Sequence, residues 1–424
     1  MIELTITSLS HAGEGIARHE GRVVFVPFAL PGETVRVEIV EDKKNFQRAR
    51  LIEVITPSPD RIAPRCPHHF APPLMRSSAS GEAGVGACGG CQLQHLAYAA
   101  QVQYKTQHVI EQLARVGGWS EAEARHIVRP TAPAPQPFGY RNQVQFALTP
   151  DGQLGFKAAG SSAIVPITEC HIAAPALMQM RQRLNVESAP ELERVTLRAS
   201  AEDELIIFES EADAPEIEID WPVSVALLRP DGASMALAGR DYLIETIKGR
   251  PFQISAGSFF QVNTAVAEKL VNEVLAALTL RASDCVLELY CGVGLFTAFI
   301  APDVQRVIGI EISESAVEDA AANLDEFENV EIYCAPAEDV LPTLEIRPDV
   351  ALIDPPRAGC APEVLNALLK LNPRVIIYVA CDPATFARDA GRLAAGRYKL
   401  EAVQPFDMFP QTHHVECVAR FVSI

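Results

Sequence analysis

Val286-Leu287-Glu288-Leu289-Tyr290-Cys291-Gly292-Val293-Gly294-Leu295-Phe296 is the stretch that decides the fold. An apolar run of strand length breaks at two glycines spaced G-x-G. Open α/β sheets use such a turn, after the first strand, to let a ligand approach the backbone. Further apolar strands follow at Arg306-Val307-Ile308-Gly309-Ile310, Val330-Glu331-Ile332-Tyr333, Val350-Ala351-Leu352-Ile353 and 374–380. Residues 315–324 and 362–371 between them suit helices, and 261–278 ahead of the turn is helical, with Val266, Leu270, Val274 and Leu278 four apart. Strands alternating with helices imply a parallel, doubly wound sheet. Residues 414–422 follow 399–404 too closely for a helical crossover, which predicts an antiparallel pair at the end of the chain.

The second strand ends in Glu311, 17 residues after Gly294, where a carboxylate can accept hydrogen bonds from two ribose hydroxyls. Position 297 is Thr, so the third glycine of a dinucleotide turn is absent and S-adenosylmethionine fits better than NAD. A glycine turn beside a merely solvated Glu311 is the plainer alternative. Ile353-Asp354-Pro355-Pro356-Arg357 ends the fourth strand, and the two prolines stiffen the loop that holds Asp354 at the sheet edge. The fifth strand ends in Val379-Ala380-Cys381-Asp382-Pro383. A thiol at the carboxyl end of a parallel strand is placed for chemistry. Most cysteines are inert buried thiols, a description that suits Cys285 and Cys417, inside apolar strands, better than Cys381. Glu416 alternates with apolar neighbours on the last strand. Burial would raise its pKa and suit it to accept a proton near neutrality. An edge-strand charge, or a partner for Arg420, explains it equally well.

Ahead of this domain the pattern is mostly β. Residues 1–55 read as short strands joined by Gly and Pro turns, a small β-barrel. Such barrels often bind single-stranded nucleic acid, although a pure packing module has the same periodicity. The cluster Lys43-Lys44-Asn45-Phe46-Gln47-Arg48-Ala49-Arg50 reads by itself as a solvated strand edge. Residues 56–245 read as a central β-rich domain with one helix over 92–116, its apolar face formed by Leu96, Tyr98, Val102, Ile110, Leu113 and Val116. A Pro/Ser/Gly/Ala-rich stretch, 67–87, reads as a mobile loop. Cys66, Cys88, Cys91 and Cys170 precede the last domain, 246–424. The glycines of Cys88-Gly89-Gly90-Cys91 would let both thiolates meet one metal centre, and spacing does not separate zinc from iron or from a pair of structural thiols.

Composition sets limits. The chain has 424 residues, 48% hydrophobic and 21% charged, which describes a multidomain globular protein. No apolar run is long enough to span a membrane, and Met1-Ile2-Glu3-Leu4-Thr5 lacks the features of a secretory signal. A cytoplasmic protein is expected, and its 10 cysteines favour metal or catalytic thiols over disulfides. The net charge of −18 argues against nonspecific polyanion binding, while leaving room for a locally basic RNA-binding face.

GEGIA (13–17), GRVVFVPFALPGE (21–33) and RARLIEVITPSPDRIAPRC (48–66) resemble the TRAM domain, a small RNA-binding barrel. CGGCQLQHLAYAAQVQYK resembles the iron–sulfur segment of the RNA uridine-C5-methyltransferases. SFFQVNT, LELYCGVGLFT, GIEIS, IDPPRAG, YVACDPATFARD and DMFPQTHHVECVA recur in that family's order. Two departures stand out: 21 residues separate Cys66 from Cys88, more than the family's usual gap, and Ala380-Cys381-Asp382-Pro383 replaces Ser-Cys-Asn-Pro. The resemblance implies a multidomain α+β protein: a TRAM/OB-like barrel, a central β-rich domain with an iron–sulfur site, and a Rossmann-like class I methyltransferase domain. It implies Cys381 as nucleophile, Glu416 as proton acceptor, and Gln261, Tyr290, Glu311 and Asp354 as methyl-donor and active-site contacts. It also implies a [4Fe–4S] cluster on Cys66, Cys88, Cys91 and Cys170. The expected activity is methylation of uridine carbon 5 in 23S rRNA by a monomer using S-adenosylmethionine. The T-loop of tRNA is the second substrate candidate, and a noncatalytic iron–sulfur RNA-binding protein is the alternative of another class.

Overall fold

The computed structural model describes residues 1–70, 87–184, 186, 192–211 and 219–424. Most of the stretch read as a mobile loop, 71–86, lies outside the described residues. Strands β1 (Ile2–Thr5), β2 (Ser8–Leu9), β3 (Gly15–His19), β4 (Arg22–Val26), β5 (Thr34–Asp42) and β6 (Phe46–Thr56) form one sheet in the order β1-β5-β6-β4-β3-β2. Alternate residues, among them Leu4, Val24, Val26, Val35, Val37, Ala49 and Leu51, fill its core. The basic cluster is largely neutralised: Arg48 pairs with Glu14, Arg50 with Glu38, and Lys43 with Glu41.

Among the described residues between 56 and 245 there are three helices where periodicity picks out one: α1 (Tyr98–Gln112), α2 (Glu121–Ile127) and α3 (Pro175–Arg183). A π turn, 113–117, continues α1. The predicted apolar face of α1 is only partly the buried one: Val116 is exposed, whereas Gln101 and Lys105 are fully buried. The reason is a polar contact from another part of the chain, the Lys105 Nζ–Asp407 Oδ1 ion pair at 2.5 Å. Val109, Ile110 and Leu113 of this segment pack into the core of the C-terminal sheet. Helix α3 instead covers the central sheet, with Leu177 and Met180 in its core. That sheet contains β7 (Gln143–Leu148), β8 (Leu154–Lys157), β9 (Ile164–Pro166), β10 (Leu192–Ala199), β11 (Glu204–Ser210), β12 (Ser224–Leu228) and β13 (Ser234–Ala238), ordered β13-β12-β11-β10-β7-β8-β9. A hairpin, β14 (Tyr242–Ile247) and β15 (Arg250–Ser255), leads to the last domain.

Helix α4 (Thr264–Leu278) starts at Asn263, whose side chain caps it, and buries Val266, Leu270, Val271, Val274 and Leu278. Each such side chain contributes about 1.5–3 kcal/mol when fully buried. The sheet beside it contains β16 (Cys285–Leu289), β17 (Arg306–Glu311), β18 (Val330–Cys334), β19 (Val350–Ile353), β20 (Val375–Ala380), β21 (Tyr398–Phe406) and β22 (Glu416–Ser423). Helices α5 (Thr297–Ile300), α6 (Glu314–Asn323), α7 (Ala337–Val340), α8 (Pro362–Leu371) and α9 (Pro383–Ala395) lie between the strands. The order is β18-β17-β16-β19-β20-β22-β21, with β16 to β20 parallel and β22 antiparallel between β20 and β21. This is the doubly wound sheet and closing antiparallel pair that the alternating pattern predicts.

Candidate active site

The parallel register gathers the acidic and aromatic residues at one sheet edge. Leu289 pairs with both Ile310 and Ile353, so the next residues, Tyr290, Glu311 and Asp354, follow together at the carboxyl ends of three adjacent strands. Tyr290 has φ +63°, and Gly292 and Gly294 have φ +55° and +84°. A non-glycine residue in that region costs of order 1–3 kcal/mol and often marks a ligand site. At Gly292 a Cβ would meet nothing within 4 Å, so the turn is open on the side a ligand would approach. Gly294, at φ +84°, holds a backbone conformation that favours glycine, and a Cβ there would also press on Leu324 Cδ1 at 2.7 Å. Glu311 accepts from the backbone N–H of Gly292 at 2.9 Å, Ile312 at 2.8 Å and Ser313 at 2.9 Å, which fixes its carboxylate beside the turn. Gln261 is buried just ahead of α4, and its carbonyl accepts from Asn142 at 3.1 Å. An open glycine turn beside a fixed carboxylate fits a nucleoside-bearing methyl donor.

Glu288 was not singled out as a site residue. It is 1% exposed, accepts from Thr297 Oγ1 at 2.6 Å, and leaves Oε1 without a partner among the described residues. Burial, and then Asp354, push its carboxyl up to about 8. A lone charge inside the run Val286-Leu287-Glu288-Leu289 was the available signal.

Cys381 and Glu416 lie side by side. Ala380 pairs with Cys417 across β20 and β22, so the next position outward places Cys381 opposite Glu416. Cys381 is half-buried and Glu416 is 4% exposed. Burial pushes the Cys381 thiol up to about 12, with Glu416 and Asp354 adding to the rise and Arg357 opposing it. Glu416 is held well above the usual carboxylate range by burial and by Asp354, again opposed by Arg357. Arg420 pairs with Glu401 instead, and β22 is an interior strand, so Glu416 is neither an edge charge nor an Arg420 partner. Asp354, half-buried, is raised to about 7 by burial and then by Glu311.

Helix α9 starts immediately after the thiol. Asp382 caps it, accepting from Ala384 N at 3.0 Å and Thr385 N at 2.8 Å, so the Asp at the departing motif position is used for capping. The helix N-terminus beside Cys381 favours a thiolate. Asp389 of α9, fully buried, accepts from Tyr378 Oη at 2.9 Å and Cys360 N at 2.8 Å and pairs with Arg388. Arg388 also donates to Ala358 O at 2.9 Å, and Thr385 Oγ1 donates to Arg357 O at 3.0 Å. These bonds tie the Asp354–Arg357 loop to the helix that follows Cys381.

Cys66, Cys88, Cys91 and Cys170 all line one cavity of about 1540 Å³ between the barrel and the central sheet, with Phe28, Arg48, Lys157 and His413 also on its walls. Gly89 is required there by packing: a Cβ would lie 2.9 Å from Lys157 O. Burial pushes all four thiols up, Cys88 to about 11. Cys88 and Cys91 are raised further by Cys66 and Cys170, so the thiols share one neighbourhood. Among the described residues no three His, Cys, Asp or Glu side chains are grouped to hold a metal ion. A single ion needs every sulfur about 2.3 Å from one point, whereas a cubane cluster takes one thiolate at each iron. A donor set of thiols alone suits a zinc ion and a cubane cluster alike.

Comparison with known proteins identifies the family. Residues 228–422 match the tRNA (Uracil-5-)-methyltransferase family model, and residues 1–52 match the TRAM domain. A protein of Streptomyces avermitilis named as an RNA methyltransferase is 38% identical over 433 residues, covering 98% of this chain and 97% of its own. One of Synechocystis, similarly named, is 34% identical over 464 residues, covering 100% and 96%. The crystal structure of Pyrococcus abyssi tRNA (uracil-54, C5)-methyltransferase in complex with S-adenosyl-L-homocysteine is 26% identical with a TM-score of 0.76, covering 99% of this chain and 100% of that one. The chain belongs to the tRNA (uracil-5-)-methyltransferase family of RNA methyltransferases and begins with a TRAM domain.

Proposed function

We propose that this enzyme transfers the methyl group of S-adenosylmethionine to carbon 5 of a uridine in RNA through a covalent bond between Cys381 and the base. The observation that carries the proposal is the facing pair Cys381 and Glu416, flanked by Asp354 and Arg357. Carbon 5 of uracil is too weak a nucleophile to take a methyl group unaided. The base is flipped into the site, and the Cys381 thiolate adds to carbon 6, making an enolate whose electron density sits on carbon 5. The bound donor supplies an electrophilic methyl group and a positive charge. Carbon 5 takes the methyl group as its bond to the donor sulfur breaks and S-adenosylhomocysteine is left, Glu416 removes the carbon-5 proton, and the Cys381–carbon 6 bond breaks as the ring double bond re-forms. Arg357 and the α9 N-terminus favour the ionised thiol. A cationic donor in the site would lower the pKa of both Cys381 and Glu416. Gln261, Tyr290 and Glu311 bind the donor, and Asp354 holds the polar edge of the base.

In this reading 1–55 grips RNA, 56–245 carries the cysteine centre, and 246–424 performs the transfer in a cytoplasmic monomer. Because most barrel arginines are in ion pairs, RNA phosphates would have to displace carboxylates, which favours a shaped RNA over any polyanion. Cys66, Cys88, Cys91 and Cys170 hold a [4Fe–4S] cluster, which supplies folding or RNA docking because the methyl transfer needs no electrons. We place 23S rRNA first, from the combined barrel and cysteine segment. The T-loop of tRNA is the second reading, favoured by the full-length likeness to the Pyrococcus abyssi tRNA enzyme.

The test is methylation of rRNA and tRNA from a strain lacking the protein. Wild type should introduce 5-methyluridine into one of them, and Cys381→Ala into neither. Absence of the product from both RNAs with wild type overturns the proposal. Anaerobically purified protein should be brown with iron and sulfide in equal amounts; colourless, zinc-loaded protein overturns the cluster.

A further inference from the structure

Gln411 lies on the connection between β21 and β22, five residues before Glu416. It is 2% exposed and has φ +71°. A buried non-glycine residue in the left-handed region persists only where its surroundings hold it. The holding groups come largely from the cysteine loop and the helix that follows. The Gln411 carbonyl accepts from Gln92 N at 3.1 Å and Leu93 N at 2.9 Å, one and two residues past Cys91. Its own N–H donates to Gln101 Oε1 at 3.0 Å, Gln101 Nε2 donates to its Oε1 at 2.9 Å, and its Nε2 donates to Pro137 O at 3.3 Å.

The same connection is held on both sides of this point. Tyr140, packed beside Cys91, donates to Pro410 O at 3.0 Å. Lys105 binds Asp407 and donates to Phe409 O at 3.0 Å. His413 Nδ1 lies 3.2 Å from Gln92 Oε1. Gln411 is where the connection accepts backbone N–H bonds from the cysteine loop directly, and no step of the proposed reaction uses it.

We propose that Gln411 is a positioning residue that locks the Cys88–Cys91 loop to the connection carrying Glu416, so that the proton acceptor keeps its place opposite Cys381 only while that loop is folded. The inference rests on the proposed reaction. It also gives the cysteine centre a mechanical role: whatever closes that loop braces Glu416.

The signature is kinetic. A misplaced Glu416 leaves thiolate addition and methyl transfer intact but slows removal of the carbon-5 proton. Gln411→Ala and Gln411→Gly should therefore accumulate a methylated covalent adduct on ordinary RNA, with product release slowed about tenfold or more. Adduct formation on 5-fluorouridine RNA, which needs no proton removal, should stay at the wild-type rate. Gln411→Asn, which tolerates the left-handed backbone and keeps the amide, should restore part of the turnover. Gln101→Met removes the opposing amide without altering the connection and should reproduce the accumulation. Wild-type turnover in Gln411→Ala, Gln411→Gly and Gln101→Met overturns the inference. So does a parallel fall in adduct formation and turnover, which is what loosened folding alone would give. Failure of wild type itself to form the 5-fluorouridine adduct would instead overturn the reaction on which the inference stands.

Discussion

Cys381 and Glu416 face one another across two adjacent antiparallel strands, one residue beyond the paired Ala380 and Cys417. Directly opposed residues present their side chains on the same face, so the register alone brings the nucleophile and the proton acceptor to one side of the sheet. Antiparallel insertion of β22 between β20 and β21 is what makes this possible. A sixth parallel strand would bring its own carboxyl end, not its first residue, to that edge.

Glu416→Gln keeps the shape of the side chain and removes the base. Addition and methyl transfer should proceed, while release of product falls by roughly 10²–10⁴-fold, the usual weight of a general base. Denaturing gels of enzyme with ordinary RNA and donor should show a persistent methylated adduct. Wild-type turnover would remove Glu416 from this role.

The free enzyme should hold Cys381 as a thiol, since its pKa is pushed up to about 12 by burial, Glu416 and Asp354. The reactive thiolate fraction then grows about tenfold per pH unit below that value. Alkylation of Cys381 by iodoacetamide should rise steadily from pH 7 to pH 9. Arg357→Gln, which removes the opposing cation, should slow it at every pH. A rate that is flat above pH 7 would contradict this.

Asp389→Asn should loosen the loop bearing Asp354 and Arg357, because the buried carboxylate joins Tyr378, Cys360 N and Arg388. The expected cost is about 1–3 kcal/mol of stability, the penalty for disrupting a buried polar network. Adduct formation should drop further than the loss of folded protein explains. Chemical denaturation and adduct assays on the same samples measure both.

Glu288 gives stability a definite pH dependence. Its folded pKa, about 8, lies above the ordinary value, so the folded state holds a proton that the unfolded chain has released. The stabilisation is complete below the ordinary carboxylate range and is lost as pH rises through about 8. Melting temperature should therefore fall between pH 6 and pH 8.5, and Glu288→Gln should flatten that fall by a few degrees. An unchanged pH profile in the variant would show that Glu288 is not the group responsible.

Much of the C-terminal sheet was legible because buried parallel strands and amphipathic helices leave strong periodic signals. The positions of Cys381, Asp354 and Glu311 followed, since each sits where an apolar run stops. Helix α1 was misread over part of its surface because Lys105 and Gln101 are buried by partners about three hundred residues away, Asp407 and Gln411. Local hydrophobicity cannot register such pairing. Asp389 had a visible signal, a carboxylate on the apolar face of α9 among Phe386, Ala390 and Leu393. Its purpose needed the loop it binds. The facing of Cys381 and Glu416 depends on strand register between segments joined by a long connection, which composition does not encode.

The most direct measurement is capture of the covalent intermediate. Fluorine at carbon 5 cannot be removed as a proton, so methyl transfer to 5-fluorouridine RNA should leave the RNA bonded to the protein through denaturation. Mass spectrometry should find the methylated nucleotide on the tryptic peptide containing Cys381, and Cys381→Ala should give no adduct. A stable adduct on another residue, or none from active wild-type enzyme, would contradict the assignment of Cys381 as the nucleophile.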